Sequence, residues 1–165
     1  MATQGNTLLH KGIPTLTDAF VVIVKTEWNA TIVDELCNGA VKVLTDAGVE
    51  YKIVTVPGAF EVPFMIKTLA SNDSLHKIDA FIALATVIQG DTPHFDYVCN
   101  SITNGITDLN LILEVPTIFG VLTVLNEQQA LDRIGGIHGH KGEEAGITAI
   151  KMIELQRKEI TESSD

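Results

Sequence analysis

Four apolar runs divide this sequence, and each of them is rich in β-branched residues. They are Ala19–Lys25, Tyr51–Val56, Ala80–Ala85 and Pro116–Leu122. The runs are apolar nearly throughout and do not alternate with polar residues, which is typical of strands that are covered on both faces in a parallel sheet. The pattern therefore predicts four buried strands.

Helical patterns fill the intervals between these runs. Thr31-Ile-Val-Asp34 resembles a capping box at the start of the first helix. Apolar residues then recur every four positions, at Ile32, Leu36, Ala40 and Leu44. A second apolar stripe runs from Val98 to Leu113, and a last helix opens with Glu143 and Glu144, where the helix dipole favours acidic residues.

Alternating strands and helices predict an α/β protein with right-handed crossovers. We expect a three-layer α/β/α sandwich around a four-stranded parallel sheet, flavodoxin-like in its layering. Residues 19–160 form one domain on this interpretation. Residues 1–18 have apolar content without a clean period and are predicted to be an N-terminal arm, either mobile or lying along a neighbouring subunit.

Composition and charge narrow the function. The chain has 165 residues, 45% of them apolar, and a formal net charge of −10. This charge argues against nucleic acid and anionic membranes as partners, because both require clustered Lys and Arg. There is no membrane-spanning run and no signal-peptide pattern. Cys37 and Cys99 lie far apart in helical patterns, so we expect both to be core residues of a cytoplasmic protein.

The end of the third run carries the strongest chemical signal. The strand ends at Gln89-Gly90-Asp91, and a helical pattern begins at Thr92-Pro93. Free backbone N–H groups at a helix start bind phosphate well. His94 lies in the first turn of that helix, so this segment indicates proton transfer on a phosphorylated substrate, although a capping or packing role would suit an isolated histidine equally.

The other strand ends carry further candidates, each with a structural alternative. Trp28 could stack on a planar heterocycle or act as a lid over the core. Glu61 could accept hydrogen bonds from a ligand or simply favour the first turn of a helix. Arg133 precedes a glycine-rich loop and could be an anion ligand or a helix C-terminal cation.

Several site types lack support in the sequence. His138-x-His140 has no third ligand at a suitable spacing, so no metal site is expected. The loop Gly135–Gly142 does not have the spacing of a P-loop, and no Gly-x-Gly-x-x-Gly follows the first strand.

Four blocks in this order resemble the lumazine synthase family (6,7-dimethyl-8-ribityllumazine synthase) over about residues 20 to 155. They are Glu27-Trp28-Asn29; Val56-Pro-Gly-Ala-Phe-Glu-Val-Pro63; Thr86-Val-Ile-Gln-Gly-Asp-Thr-Pro-His-Phe-Asp-Tyr97; and Ile118-Phe-Gly-Val-Leu-Thr123 with Gln129-Ala-Leu-Asp-Arg133 and Lys141-Gly142. Each block alone is weak, but four in order at compatible spacing are highly specific.

The resemblance implies an enzyme of riboflavin biosynthesis. Its substrates would be 5-amino-6-ribitylaminouracil and 3,4-dihydroxy-2-butanone 4-phosphate, and no metal or redox cofactor is expected. Trp28 and the backbone of Thr86, Val87 and Ile88 would contact the pyrimidine. The ribityl chain would lie against the residues Ala59, Phe60 and Glu61.

The remaining implied roles concern the phosphate, the proton and a second subunit. Asp91 and Thr92 would give backbone N–H groups to the phosphate, with Arg133 as its charge partner. Lys141 is also implied as a substrate-binding residue. The resemblance assigns proton transfer to His94, with Glu144 orienting its ring. The chain would assemble as a pentamer, or as a shell of sixty copies, with Phe119 of an adjacent subunit covering the pyrimidine.

Two departures from the family pattern bear on this interpretation. Gln89 stands where many members have Arg, so one positive charge near the cleft is missing. Ile137-His-Gly-His140 also differs from the commoner sequence of that loop. The alternatives to an enzyme are a flavodoxin-like protein that binds flavin without turnover and an inactive shell-forming scaffold.

Overall fold

A four-stranded parallel sheet with helices on both faces forms the protein. The computed structural model describes residues 11–72 and 77–162, with side chains described up to residue 160. The strands are β1 (Phe20–Thr26), β2 (Glu50–Val56), β3 (Ala80–Ile88) and β4 (Thr117–Val124), and the sheet order is β2-β1-β3-β4. The predicted three-layer α/β fold is confirmed, with strand bounds that differ by a few residues.

Five helices accompany the sheet in the described part of the chain. They are α1 (Ala30–Asp46), α2 (Val62–Ala70), α3 (His94–Ile112), α4 (Glu127–Leu131) and α5 (Lys141–Glu162). A short hairpin of β5 (Ile134–Gly136) and β6 (Gly139–His140) precedes α5. None of the described helices is long and apolar enough to cross a membrane.

Two apolar clusters hold the layers together, one on each face of the sheet. On one face, α1 and α5 pack against inward side chains such as Ile23 and Leu84. On the other face, α2 and α3 pack against their neighbours in the strands, such as Val24 and Phe81. Both faces of the central strands β1 and β3 are therefore buried, and this explains why their runs are apolar without alternation. The edge strand β2 is mostly exposed, so the prediction of four buried strands was wrong for this run.

Two local predictions were wrong. The first helix begins at Ala30, with Asn29 at the N-cap position, so Thr31 lies inside the helix and does not cap it. Asp34 instead pairs with Lys25 at the end of β1. Cys37 is buried as expected, but Cys99 is only partly buried. Burial raises the pKa of both thiols, which favours the neutral form.

The second half of the predicted arm packs on its own protomer. Ile13 and Leu16 lie against the cluster between α1 and the sheet. The Leu16 amide donates to the carbonyl of Ala47 at 2.9 Å. Residues 1–10 lie outside the described residues, so the arm as a separate unit from residue 1 to residue 18 stays a prediction.

Candidate active site

The sheet topology indicates where a ligand would bind. The chain leaves β1 towards β2 on one side and later returns to β3 on its other side, so β1 and β3 flank a topological switch point. Open α/β sheets bind ligands in the crevice beyond the carboxyl ends of such strands. Two of the sequence blocks, at Trp28 and at Thr86, follow these two strands.

Trp28 projects from the loop after β1. The backbone of this loop is tied to the end of β2, because the Glu27 amide donates to Val56 at 2.9 Å and the Trp28 amide donates to Pro57 at 3.4 Å. The indole is 73% exposed, so it is not a lid over the core of its own chain. A large exposed aromatic side chain on an anchored loop provides a stacking surface.

Asn29 is a site residue to which the sequence analysis gave no role. It has a left-handed backbone conformation, with φ of 58°, which Asn tolerates better than most residues. Its side-chain amide donates to the carbonyl of Thr86 at 2.7 Å. This bond spans the switch point and fixes the loop of Trp28 to the end of β3. The signal in the sequence was an Asn between a strand and a helix.

The loop after β2 brings Glu61 close to Trp28. A Cβ on Gly58 would lie 3.0 Å from Oε2 of Glu61, a tight contact, and 3.7 Å from Cδ1 of Trp28, an ordinary contact, so both side chains lie close to this glycine. Ala59–Glu61 form one turn of 3₁₀ helix ahead of α2. Glu61 is exposed and occupies the N-cap position of α2 without a capping hydrogen bond from its carboxylate, which leaves those oxygens to accept ligand groups.

Phe60 and the end of β3 complete this side of the crevice. Phe60 is 59% exposed beside half-buried Ala59. Thr86 is buried, whereas Val87 and Ile88 are half-buried at the open end of the strand. Their backbone is therefore held rigidly at the point where a planar ring resting on Trp28 would present its polar edge.

The predicted anion site follows directly. After Gln89, whose amide donates to Val124 at 2.9 Å, the chain makes an exposed turn through Asp91 and Thr92. Helix α3 begins at His94, whose amide donates to the hydroxyl of Thr92 at 3.4 Å. The first N–H groups of this 19-residue helix point into the turn, and the exposed imidazole stands beside them.

Phe119, Lys141 and Glu144 lie elsewhere, along the outer edge of the sheet. Phe119 belongs to the edge strand β4 and is 44% exposed. Phe119 lines a groove against α3 and also borders a groove of about 500 Å³ between β4 and α5. Lys141 and Glu144 line the same groove, where Nζ of Lys141 donates to both carboxylate oxygens of Glu144, at 2.8 and 2.7 Å.

Arg133 is linked to this second set through the backbone. The Lys141 amide donates to the carbonyl of Arg133 at 2.8 Å across the β5–β6 hairpin. The guanidinium donates to the carbonyl of Gln129 at 2.7 Å, as a cation at a helix C-terminus often does. One Nη1 bond leaves further donors of the planar guanidinium for an anion.

The predicted site residues thus fall into two groups within one chain. The strand-end group comprises Trp28, Ala59, Phe60, Glu61, Thr86, Val87, Ile88, Asp91, Thr92 and His94, and the edge group comprises Phe119, Arg133, Lys141 and Glu144. No side-chain hydrogen bond or ion pair joins the two groups within residues 11–72 and 77–160. In the described protomer Glu144 pairs with Lys141, not with His94.

The sheet register separates Phe119 from Trp28. Phe119 is level with Ala83, three residues before Thr86, which places it about 10 Å from the level of Thr86 along the strand direction. It also lies two strands away from β1, a further distance of about 9.6 Å. A ring that stacks on Trp28 therefore cannot be covered by Phe119 of the same chain.

Comparison with known proteins gives the site its chemical context. A family model for 6,7-dimethyl-8-ribityllumazine synthase matches residues 18–157. The chain belongs to this family. A lumazine synthase from Parabacteroides distasonis is 46% identical over 144 residues, covering 86% of this chain and 88% of the relative. One from Porphyromonas gingivalis is 44% identical over 151 residues, covering 90% and 92% of the two chains.

A more distant member extends the similarity over most of the arm. The lumazine synthase from Flavobacterium johnsoniae is 42% identical over 164 residues, which cover 96% of this chain and 85% of the relative. Family membership confirms the resemblance that the four blocks indicated. The two-group geometry is a separate finding, and it bears on how a lumazine synthase of this sequence would complete its site.

Among residues 11–72 and 77–162, no group of three or more His, Cys, Asp or Glu side chains is placed to hold a metal ion. His138 and His140 both lie on the hairpin before α5.

Proposed function

We propose that this protein condenses 5-amino-6-ribitylaminouracil with 3,4-dihydroxy-2-butanone 4-phosphate to give 6,7-dimethyl-8-ribityllumazine, with release of phosphate and water. Family membership supports the reaction. The observation that carries it in the structure is the placement of an anchored, exposed Trp28 beside an open helix N-terminus that bears His94. A planar heterocycle and a phosphate are the two ligand parts that this arrangement suits.

The pyrimidine rests on Trp28 in this proposal. The backbone at Thr86, Val87 and Ile88 meets its polar edge, and the bond from Asn29 to the Thr86 carbonyl keeps that edge in register. The ribityl chain runs along Ala59–Glu61. The carboxylate of Glu61 makes no capping hydrogen bond to α2, so it accepts hydrogen bonds from the hydroxyl groups of this chain.

The phosphate of the ketone binds at the turn before α3. Backbone N–H groups at Asp91 and Thr92 and the positive end of the helix dipole meet the dianion. Arg133 adds a formal positive charge that attracts the phosphate in a chain of net charge −10. This charge is the more important because the turn itself has Gln89 and no arginine. Lys141 is the second cation of the same hairpin.

His94 moves the protons that the chemistry requires. The 5-amino group of the uracil attacks the ketone carbonyl, water leaves to form the imine, and phosphate is eliminated after loss of a proton from carbon. The elimination leaves an enol, which tautomerises to a new ketone. The ribitylamino nitrogen attacks this carbonyl, and loss of another water closes the ring of the lumazine. An imidazole beside the phosphate can take and return these protons near neutral pH.

Two chains build each site in this proposal, because Phe119 of the same chain is too far from Trp28. A second copy supplies Phe119 over the free face of the pyrimidine, together with Arg133 and Lys141. Glu144 comes with them and orients His94 across the interface. A ring of five copies provides such sites, and a shell of sixty copies would contain twelve rings.

We further propose a cytoplasmic location for this protein, because Cys37 and Cys99 are both free thiols.

Lumazine formation is the direct test of the proposed reaction. Purified protein mixed with both substrates should develop the fluorescence of the lumazine and release one phosphate for each lumazine formed. A flavin-binding protein would instead carry stoichiometric flavin and form no lumazine. An inactive scaffold would assemble without turnover, and either result would overturn the proposal.

Replacement of Arg133 with alanine should weaken the binding of the butanone phosphate. A charge-assisted bond to a phosphate contributes roughly 1.5–3 kcal/mol, which corresponds to about 10- to 100-fold in KM for that substrate. The KM for the uracil should change less than threefold. Steady-state kinetics with each substrate varied in turn measures both values, and equal losses for the two substrates would show that Arg133 does not act on the phosphate.

A further inference from the structure

The imidazole of His140 lies wedged between helix α1 and the β5–β6 hairpin. A Cβ placed on Gly39 of α1 would stand 2.2 Å from Cε1 of His140 and 2.5 Å from Nδ1. On the opposite side, a Cβ on Gly135 would stand 3.8 Å from Cδ2 of the same ring. The ring therefore occupies the space that the absent side chain of Gly39 leaves, and it fixes the distance between the hairpin and α1.

The same ring caps helix α5. Its Nδ1 accepts a hydrogen bond from the backbone N–H of Glu143 at 3.3 Å, within the first turn of the helix. An acceptor on the residue just before a helix satisfies one of the N–H groups that have no partner inside it.

Arg133 and Lys141, the two cations of the edge group, lie at the two ends of the β5–β6 hairpin, which the His140 ring holds in place. Lys141 follows His140 directly, and its amide donates to the carbonyl of Arg133 across the hairpin. The side chain of Lys141 is then fixed by its two bonds to Glu144. A shift of the hairpin relative to α1 moves Arg133, Lys141 and Glu144 together.

We propose that His140 is a positioning residue that clamps the Arg133–Lys141 hairpin to α1 and so sets the two cations that receive the phosphate. This inference rests on the proposed function for the identity of the anion. The clamp itself stands on the packing against Gly39 and on the cap of α5. His140 touches no substrate and acts only through the residues that it holds.

Replacement of His140 with alanine removes both the wedge and the cap. We expect the KM for the butanone phosphate to rise about tenfold, as for a small displacement of binding groups, while kcat changes less than threefold. Hydrogen–deuterium exchange of the segment 133–141 should become faster at the same time. The Lys141 amide donates to the Arg133 carbonyl, and that carbonyl is no longer held in a fixed position when the hairpin is released. His140→Asn keeps a side-chain acceptor near the helix start and should recover most of the loss.

His138→Ala is the matched control on the same hairpin. Nδ1 of His138 is buried and has no hydrogen-bond partner in the described part of the chain, so its removal breaks no cap. We expect exchange of the segment 133–141 and the KM for the butanone phosphate to stay within twofold of the unmodified protein. A rise equal to that of His140→Ala would show that any histidine on this hairpin matters, and would overturn the specific role of His140.

Gly39→Ala tests the wedge from its other side. Alanine is the better helix former, so helix propensity alone predicts no harm from this change. With His140 present, the new methyl group collides with the ring and should raise KM and exchange as His140→Ala does. With His140 already replaced by alanine, the same methyl group enters open space and should cause no further loss. Equal harm in both backgrounds would overturn the clamp.

Hydrogen–deuterium exchange and kinetics together distinguish a failure of the His140 clamp from a failure of the proposed function. If the unmodified protein forms no lumazine, the proposed function fails, and exchange of the segment 133–141 still decides whether His140 holds the hairpin. If lumazine forms normally but His140→Ala changes neither exchange nor KM, the clamp fails and the proposed function stands. Should His140→Ala not fold, Gly39→Ala with His140 present still tests the clamp, because unchanged exchange and KM in that variant would overturn it.

Discussion

Replacement of His94 with alanine is expected to lower turnover by roughly two to four orders of magnitude, the range that general acid–base catalysis supplies. The imidazole stands exposed at the first turn of α3, so its removal leaves no cavity in the core. The N–H groups of the turn also remain in place. Binding geometry is therefore retained, and the loss should appear in kcat.

The size of this effect follows from how the reaction is accelerated. Holding two substrates in a reactive orientation contributes up to about 7–11 kcal/mol, whereas general acid–base catalysis contributes about 10²–10⁴-fold, or roughly 3–5 kcal/mol. His94 is thus important without being absolute. Single-turnover kinetics and the affinity for the uracil, measured separately, test this division. Unchanged kcat would remove His94 from the mechanism, and a lost affinity for the uracil would point to a structural role.

Much of the fold could be predicted because the local and global signals agree. The four apolar runs became β1 to β4. Burial between the two helical layers explains the lack of alternation in the central strands β1 and β3, but not in the mostly exposed edge strand β2. The start of α1 could not be predicted in this way. Asn29 adopts a left-handed conformation because its side chain reaches the Thr86 carbonyl, 57 residues away, and a contact at that separation overrides the local capping pattern at Thr31.

The resemblance named the candidate site residues and assigned Phe119 to an adjacent subunit, but it did not assign Arg133, Lys141 and Glu144 to either chain. Sequence order places the candidates at strand ends without stating which side of the sheet each one serves. In the structure, Phe119 of the edge strand β4 is level with Ala83 of β3, and this register shows that Phe119 is separated from Trp28. Likewise, the bond between Lys141 and Glu144 occupies a carboxylate that the resemblance assigned to His94.

A site shared by two chains makes a second strong prediction. His94→Ala and Arg133→Ala variants damage opposite halves of each site, so hybrids that contain both should regain activity that neither has alone. In a ring with random mixing, a site is intact when one chain keeps His94 and its neighbour keeps Arg133, and about a quarter of the sites meet this condition. The assay uses the butanone phosphate well below its KM for the Arg133 variant, so that both parents are nearly silent.

Control hybrids exclude other causes of recovered activity. Mixing His94→Ala with the double variant His94→Ala/Arg133→Ala produces hybrids without any intact site, and their activity should not exceed that of His94→Ala. Light scattering should give all hybrids the mass of the unmodified protein. Five copies of the 17.8 kDa chain correspond to about 90 kDa and sixty copies to about 1.1 MDa. An active species near the mass of one chain would contradict a shared site.

The most direct test of the account is the activity of hybrids purified from cells that express the His94→Ala and Arg133→Ala chains with two different affinity tags. Purification over both tags selects assemblies that contain both variants. The account predicts about a quarter of the activity of the unmodified protein, because unmodified His94 and Arg133 then meet across some interfaces. Activity no greater than the average of the two parent variants would show that both residues serve the same chain, and would contradict the shared site.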